Sequence, residues 1–103
     1  MSLKGKYMKI QQEAMAGTLE SSDLLVKVMP NQGIEIIINS DVNKQFGEQI
    51  FTVVRNTLQT LNLTDGLIII DDKGALDCAI KARVQCAVLR GAVEQHSDWS
   101  QLL

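Results

Sequence analysis

Ala14-Met15-Ala16-Gly17-Thr18-Leu19-Glu20-Ser21-Ser22-Asp23-Leu24-Leu25-Val26-Lys27-Val28-Met29 is the stretch on which the fold turns. Its second half alternates: Leu24, Val26 and Val28 fall on one face of an extended chain, Leu25, Lys27 and Met29 on the other. Its first half is small and β-compatible up to Leu19. Between the two lies Glu20-Ser21-Ser22-Asp23, whose short oxygen-bearing side chains can bond the local backbone and so favour a turn. The simplest reading is a β-hairpin with two serines at its tip. A short helix over residues 11–17 is the alternative, weakened by Gly17.

Working outward, Pro30-Asn31-Gln32-Gly33 reads as a turn, with φ fixed at proline and a positive φ open to glycine. A third strand is expected over Ile34–Ser40, with Ile34, Ile36 and Ile38 on one face and Ile37 on the other. A first helix is expected from about Val42 to Leu61, capped by Ser40 or Asp41. Its apolar stripe is Val42, Phe46, Ile50, Val53, Val54, Thr57 and Leu61. Gly47 inside it suggests a close approach. Asn62 and the Thr64-Asp65-Gly66 triplet read as the end of this helix. Leu67–Ile70 reads as a short buried strand, Asp71-Asp72-Lys73-Gly74 as a turn, and about Leu76–Ala92 as a second helix. That helix is apolar around most of its circumference. Leu76, Ala79, Ile80, Cys86 and Ala87 cluster, Val88 and Leu89 fall outside the cluster, and Asp77, Lys81 and Gln85 make a narrow polar strip. Residues 8–13 are polar and weakly patterned. The expected class is α+β: one small domain over residues 8–92, an antiparallel sheet with two helices on one face, in the order β-β-β-α-β-α. Residues 1–7 read as an appendage and 93–103, with His96 and Trp99, as a C-terminal tail.

The totals narrow the function. The chain has 103 residues, 46% hydrophobic and 21% charged, with a net charge of −2. That balance and an aromatic content of 4% speak against a nucleic-acid surface. No apolar run reaches the roughly 18 residues that cross a bilayer, and no secretory h-region is visible at the start, so a cytoplasmic location is expected. Cys78 and Cys86 lie in one expected helix, roughly 12 Å apart along its axis, too far for a bridge. They read as reduced, small core residues. No spacing for catalysis or metal binding is present, and Asp71, Asp72 and Asp77 lack calcium-loop spacing. On residue chemistry alone Ser21 and Ser22 are turn serines. A hydroxyl on a hairpin tip does suit modification by another enzyme. Arg83 and Arg90, seven residues apart, align beside the apolar face. They read as stems packed on the body with heads in water, or as contacts to a partner or a phosphate.

Three segments in order and spacing resemble the citrate lyase acyl carrier protein family. They are Ala16-Gly17-Thr18-Leu19-Glu20-Ser21-Ser22-Asp23, Lys44-Gln45-Phe46-Gly47, and Asp71-Asp72-Lys73-Gly74-Ala75-Leu76-Asp77-Cys78 with Arg83 beyond. The similarity spans about Met8 to Ala92. The resemblance implies a non-catalytic carrier with no catalytic residue or metal of its own. It would bear 2'-(5''-phosphoribosyl)-3'-dephospho-coenzyme A, joined to a serine through a phosphodiester. Its thiol would carry acetyl and citryl thioesters between the alpha (CoA-transferase) and beta (citryl lyase) subunits, as citrate is split to oxaloacetate and acetate. A holo-carrier synthase transferase and citrate lyase ligase would be further partners. The modified serine follows Leu-Glu in the family pattern, which maps to Ser21, with Ser22 as the fallback; glycine is also familiar at the Ser22 position. The carrier of malonate decarboxylase is the nearest alternative, although Thr18-Leu19-Glu20 and the Asp71–Asp77 run favour the citrate version. An unmodified protein-interaction module is a third reading. The apolar second helix is expected to be buried against a neighbouring subunit.

Overall fold

The structure, a computed structural model, describes residues 7–40 and 44–92, with residues 44–47 described through their backbone alone. The elements are β1 (Met8–Lys9), β2 (Ala14–Gly17), β3 (Leu24–Met29), β4 (Ile34–Ser40), α1 (Lys44–Thr60), β5 (Leu63–Asp72) and α2 (Asp77–Ala92). The α+β class and the expected hairpin stand. β2 and β3 pair antiparallel, Ala14 opposite Val28 and Gly17 opposite Leu25. β3 then pairs antiparallel with β5, Leu24 opposite Asp72 and Met29 opposite Leu67.

The sheet is mixed rather than wholly antiparallel. β4 lies parallel to β5 on the side away from β3, Ile34 opposite Gly66 and Ser40 opposite Asp72. The β4–α1–β5 stretch is therefore a crossover unit, which parallel neighbours require because a tight turn cannot join them. A short fifth strand, β1, pairs parallel with the start of β5. It supplies the strand missing from the expected order.

β5 is also longer than Leu67–Ile70. The Thr64-Asp65-Gly66 triplet is strand, not turn, because other parts of the chain pair with it. Met8 N–H donates to Asn62 O, Ile10 N–H to Asp65 O, and Gly66 N–H to Gly33 O, each at 2.9 Å. α1 itself ends at Thr60, and Asn62, in the left-handed region at φ 60°, turns the chain into β5. The Asp65 carboxyl accepts from Gly33 N–H at 2.7 Å, and that bond, with the Thr64 hydroxyl and nearby Lys9, lowers its pKa.

One face of the sheet meets both helices. Leu24, Val26 and Val28 of β3 and Ile68 and Ile70 of β5 are fully buried there. Each contributes roughly 1.5–3 kcal/mol relative to an exposed side chain. α1 adds Ile50, Val54, Thr57 and Leu58; α2 adds Ile80, Val84, Ala87 and Val88. Of the expected α1 stripe, Val53 and Leu61 are half-buried, and the side chains of Val42 and Phe46, the Gly47 approach and Asp41 lie outside the described residues, as does the 93–103 tail.

The α2 reading needs correction. Its inward face runs through Val84 and Val88, while Leu76 is 73% exposed. α2 packs on β2, β3 and α1 at once, which buries Ile80, Val84, Ala87 and Val88 within the domain, while Leu89 stays 47% exposed. Gly91 lets it sit close: a Cβ there would lie 2.7 Å from Val28 Cγ2. Cys78 is exposed and Cys86 half-buried, so Cys78 is not a core residue; both are free thiols. No helix among the described residues is long and apolar enough to cross a membrane.

Candidate functional site

The register places three strand ends together. Leu24, Asp72 and Ser40 stand side by side across β3, β5 and β4. The serine-bearing tip before β3, the turn after β5 and the exit from β4 therefore share one end of the sheet.

The tip is a closed, wired turn. Asp23 N–H donates to Glu20 O at 3.1 Å, and Thr18 N–H to Leu24 O at 3.0 Å. The tip is also stitched to the β5–α2 turn, since Ser22 N–H donates to Lys73 O at 2.8 Å and Lys73 N–H to Asp23 O at 2.9 Å. Asp23 is the hub. Its carboxylate accepts from the Thr18 hydroxyl at 2.7 Å and from Leu24 N–H at 2.8 Å. Arg83 of α2 grips both oxygens, Nε to Oδ1 at 3.2 Å and Nη2 to Oδ2 at 3.0 Å. A two-pronged guanidinium fixes direction as well as charge. The Thr18 hydroxyl, Leu24 N–H and Arg83 together hold the Asp23 carboxyl at about 2, since each favours its ionised form. Thr18 also accepts from Glu20 N–H, so one threonine ties both halves of the turn.

Above this hub Leu19, Glu20, Ser21 and Ser22 are all exposed. The Ser21 and Ser22 hydroxyls have no hydrogen-bond partner among the described residues. The two serines differ in backbone. Ser22 sits at φ 65°, in the left-handed region where a glycine is least strained, and its N–H is committed to Lys73. Gly17, at φ 102°, closes the other end of the loop; a Cβ there would collide with the Leu24 carbonyl.

Sequence reasoning found the serines and missed the wiring. Thr18 and Asp23 carry no local sign of a role, and Arg83 reads from sequence as a snorkelling stem or as a contact to a partner or a phosphate. The usable signal was a fork-shaped cation beside an apolar helix face with no carboxylate one helical turn away. Such a residue needs a partner from another element. Arg90 likewise bonds inside the domain, its Nη1 donating to Met15 O at 2.7 Å.

The other predicted carboxylates do not gather. Asp71 accepts from Asn39, Asp77 from Gln49, and Asp72 is buried among turn donors. Among the described residues no three potential metal ligands cluster.

Relatives of known name share nearly the whole chain. A citrate lyase acyl carrier protein of Enterobacter sp. (strain 638) is 60% identical over 96 residues, 92% of this chain and 99% of its own. That of Vibrio cholerae serotype O1 (strain M66-2) is 54% identical over 97 residues, and that of Rhodopseudomonas palustris (strain BisA53) 52% over 96, again with 92% of this chain and 99% of theirs. The chain belongs to the citrate lyase acyl carrier protein family. Residues 11–91 also match the family model described as malonate decarboxylase delta subunit (MdcD). A chain in the crystal structure of a Pseudomonas malonate decarboxylase hetero-tetramer in complex with malonate superposes with a TM-score of 0.70. It shares 21% identity, with 82% of this chain and 88% of that chain covered. This chain and that one thus share the fold, and identities of 52–60% tie the sequence to citrate lyase acyl carrier proteins.

Proposed function

We propose that this chain is the acyl carrier subunit of a cytoplasmic citrate lyase and that Ser21 is its attachment point. The observation that carries the reading is an exposed hydroxyl on a turn anchored at its close by Asp23 to Arg83 and Ser22 to Lys73, and at its start by Thr18 to Asp23 and Leu24. The residues fit a bulky substituent. Ser21 and its neighbours Leu19, Glu20 and Ser22 all face solvent, so a nucleotide group on the Ser21 hydroxyl displaces no packed side chain. Phosphoribosyl-dephospho-coenzyme A, held there through a phosphodiester, would supply a thiol for acetyl and citryl thioesters. Arg83, 42% exposed, stands at the base of the tip, and its charge favours the phosphodiester as well as Asp23. The protein's part is to hold the tip still while alpha (CoA-transferase) and beta (citryl lyase) subunits engage it in turn. Tethering raises the local concentration of a carried group at each partner. The holo-carrier synthase transferase and citrate lyase ligase would read the same exposed turn.

Ser22 is the fallback site, and its left-handed backbone and committed N–H favour Ser21 over it. A malonate decarboxylase carrier is the second reading, favoured by the family description and the shared fold; identities of 52–60% to citrate lyase carriers weigh more. The deciding experiment is intact mass of protein co-expressed with its genomic neighbours, then peptide mapping across residues 14–27. The expected result is the nucleotide-bearing mass on Ser21, absent from Ser21→Ala. The same mass on Ser22 moves the site. No added mass, with the transferase active on a known carrier, replaces the carrier by an unmodified interaction module.

A further inference from the structure

A cavity of about 470 Å³ opens at the same end of the sheet as the serine tip. That volume lies within the range of small-molecule sites, about 300–1,000 Å³. Its floor is apolar, formed by Ile50 of α1 and Ile80 of α2, both buried. Ala75 and the exposed Leu76 form one wall, and Gln49 and Asp77 meet across the α1–α2 rim, Gln49 Nε2 donating to both Asp77 oxygens at 3.3 Å. The wall nearest the tip is Asp72 and Gly74, which bracket Lys73. Lys73 is the residue whose backbone bonds Ser22 and Asp23, at 2.8 and 2.9 Å. The serine loop and the cavity wall are therefore hydrogen-bonded neighbours.

We infer that this cavity seats the uncharged amide-thiol segment of a pantetheine-like chain carried on the serine tip; the inference rests on the carrier reading above. The lining selects for that chemistry. Its described residues include two carboxylates, Asp72 and Asp77, and no lysine or arginine. An anionic nucleotide or phosphate is repelled from it and stays outside, where Arg83 stands. Asp72 already accepts from Ser40 Oγ and from the Gly74 and Ala75 N–H groups, so most of its acceptor capacity is committed to the turn. Gln49 and Asp77 remain at the rim, one donor–acceptor amide and one acceptor, matched to the two amides of a pantetheine chain. Leu76, 73% exposed beside this opening, is an apolar side chain that a seated chain would cover.

Weak intrinsic affinity is enough. A tethered group meets its site at an effective concentration on the order of millimolar. A Kd of about 1 mM for the free chain then leaves the tethered one seated about half the time and slows attack on its thiol about twofold.

The test has two arms. In the first, pantetheine is titrated into unmodified protein while the methyl signals of Ile50 and Ile80 are followed by NMR. Saturable shifts at both are expected, abolished in Ala75→Trp, which fills the wall, and in Gln49→Trp, which sits on an exposed helix position and leaves the core intact. In the second, protein verified by mass as modified is alkylated with iodoacetamide, and peptide mapping separates the arm thiol from Cys78 and Cys86. The arm thiol is expected to react at least about twofold slower than in the Gln49→Trp variant. Pantetheine that moves neither isoleucine, together with an arm thiol that reacts equally fast in both proteins, overturns the cavity while leaving the carrier intact. An unmodified Ser21 with clear pantetheine shifts overturns the attachment site and upholds the cavity.

Discussion

Two aspartates organise two turns at the same end of this sheet, and they do opposite work. Asp72, 2% exposed, collects neutral donors: Gly74 N–H and Ser40 Oγ at 3.1 Å and Ala75 N–H at 3.0 Å. Asp23, at the root of the serine loop, faces water along part of its side chain and is answered by a full charge, Arg83. A buried carboxylate bonded to backbone N–H groups holds a chain path, here the passage from β5 into α2. A part-exposed carboxylate in a fork with an arginine holds a direction, here the way the serines point. Stability is vested in the first and presentation in the second.

The largest effect should come from breaking the buried member. Asp72→Ala removes the acceptor that Ser40 Oγ and the Gly74 and Ala75 N–H groups share at this turn and leaves a gap where a buried side chain stood. With unmade bonds costing about 1–3 kcal/mol each, a loss of about 2–4 kcal/mol is expected. In a domain of this size that lowers Tm by roughly 10–20 °C, readable by calorimetry. Asp72→Asn, which keeps one carbonyl acceptor, should recover part of the loss. A Tm within a degree or two of the parent would show that the turn holds itself.

Asp23→Ala should act locally. The expected outcome is a small change in Tm but faster hydrogen exchange at Ser22 and Leu24, whose amides depend on the latch. Modification of Ser21 by the transferase should slow, since the turn must be reordered on binding. Unchanged exchange at both amides would remove the latch from the account.

The same comparison explains what the sequence disclosed. The hairpin was legible because Leu24, Val26 and Val28 alternate and a polar turn precedes them; a period of two admits one answer once a face must be buried. The Asp71–Gly74 run was legible as a turn, but the burial of Asp72 was not. It arises from β3 and β4 flanking β5, and the parallel β4 pairing is a long-range choice that alternation within β4 does not encode. α2 misled for a related reason. Apolar residues around most of a helix leave its inward face undetermined, so periodicity puts Val88 outside the apolar cluster although it is fully buried. The Asp23–Arg83 fork joins residues 60 positions apart, and neither end carries a local sign of the other.

Acid should test the charge on Asp23. Folding holds the Asp23 carboxyl at about 2, below an unfolded value of about 3.9. A carboxyl lowered on folding stabilises the native state above its unfolded pKa and loses that contribution as pH falls through the folded one. The Tm difference between the parent and Asp23→Ala should therefore be constant above about pH 5 and shrink between about pH 4 and 2. A difference that persists at pH 2 would mean that Asp23 acts through its shape and not its charge.

The smallest and most specific effect belongs to Arg83→Lys. The charge near Asp23 is retained, but an ammonium cannot span Oδ1 and Oδ2 as Nε and Nη2 do. The pair is part-exposed, so solvent screening leaves little for Tm to report. What should change is geometry. The Thr18 and Leu24 bonds to Asp23 remain, so the turn stays folded, while its angle to α2 is no longer fixed. Exchange at Leu24 should stay near the parent value and Ser21 modification should fall modestly, between the parent and Asp23→Ala. Modification equal to the parent would reduce Arg83 to a charge, whereas a fall as deep as that of Asp23→Ala would make the fork the element that presents the serine.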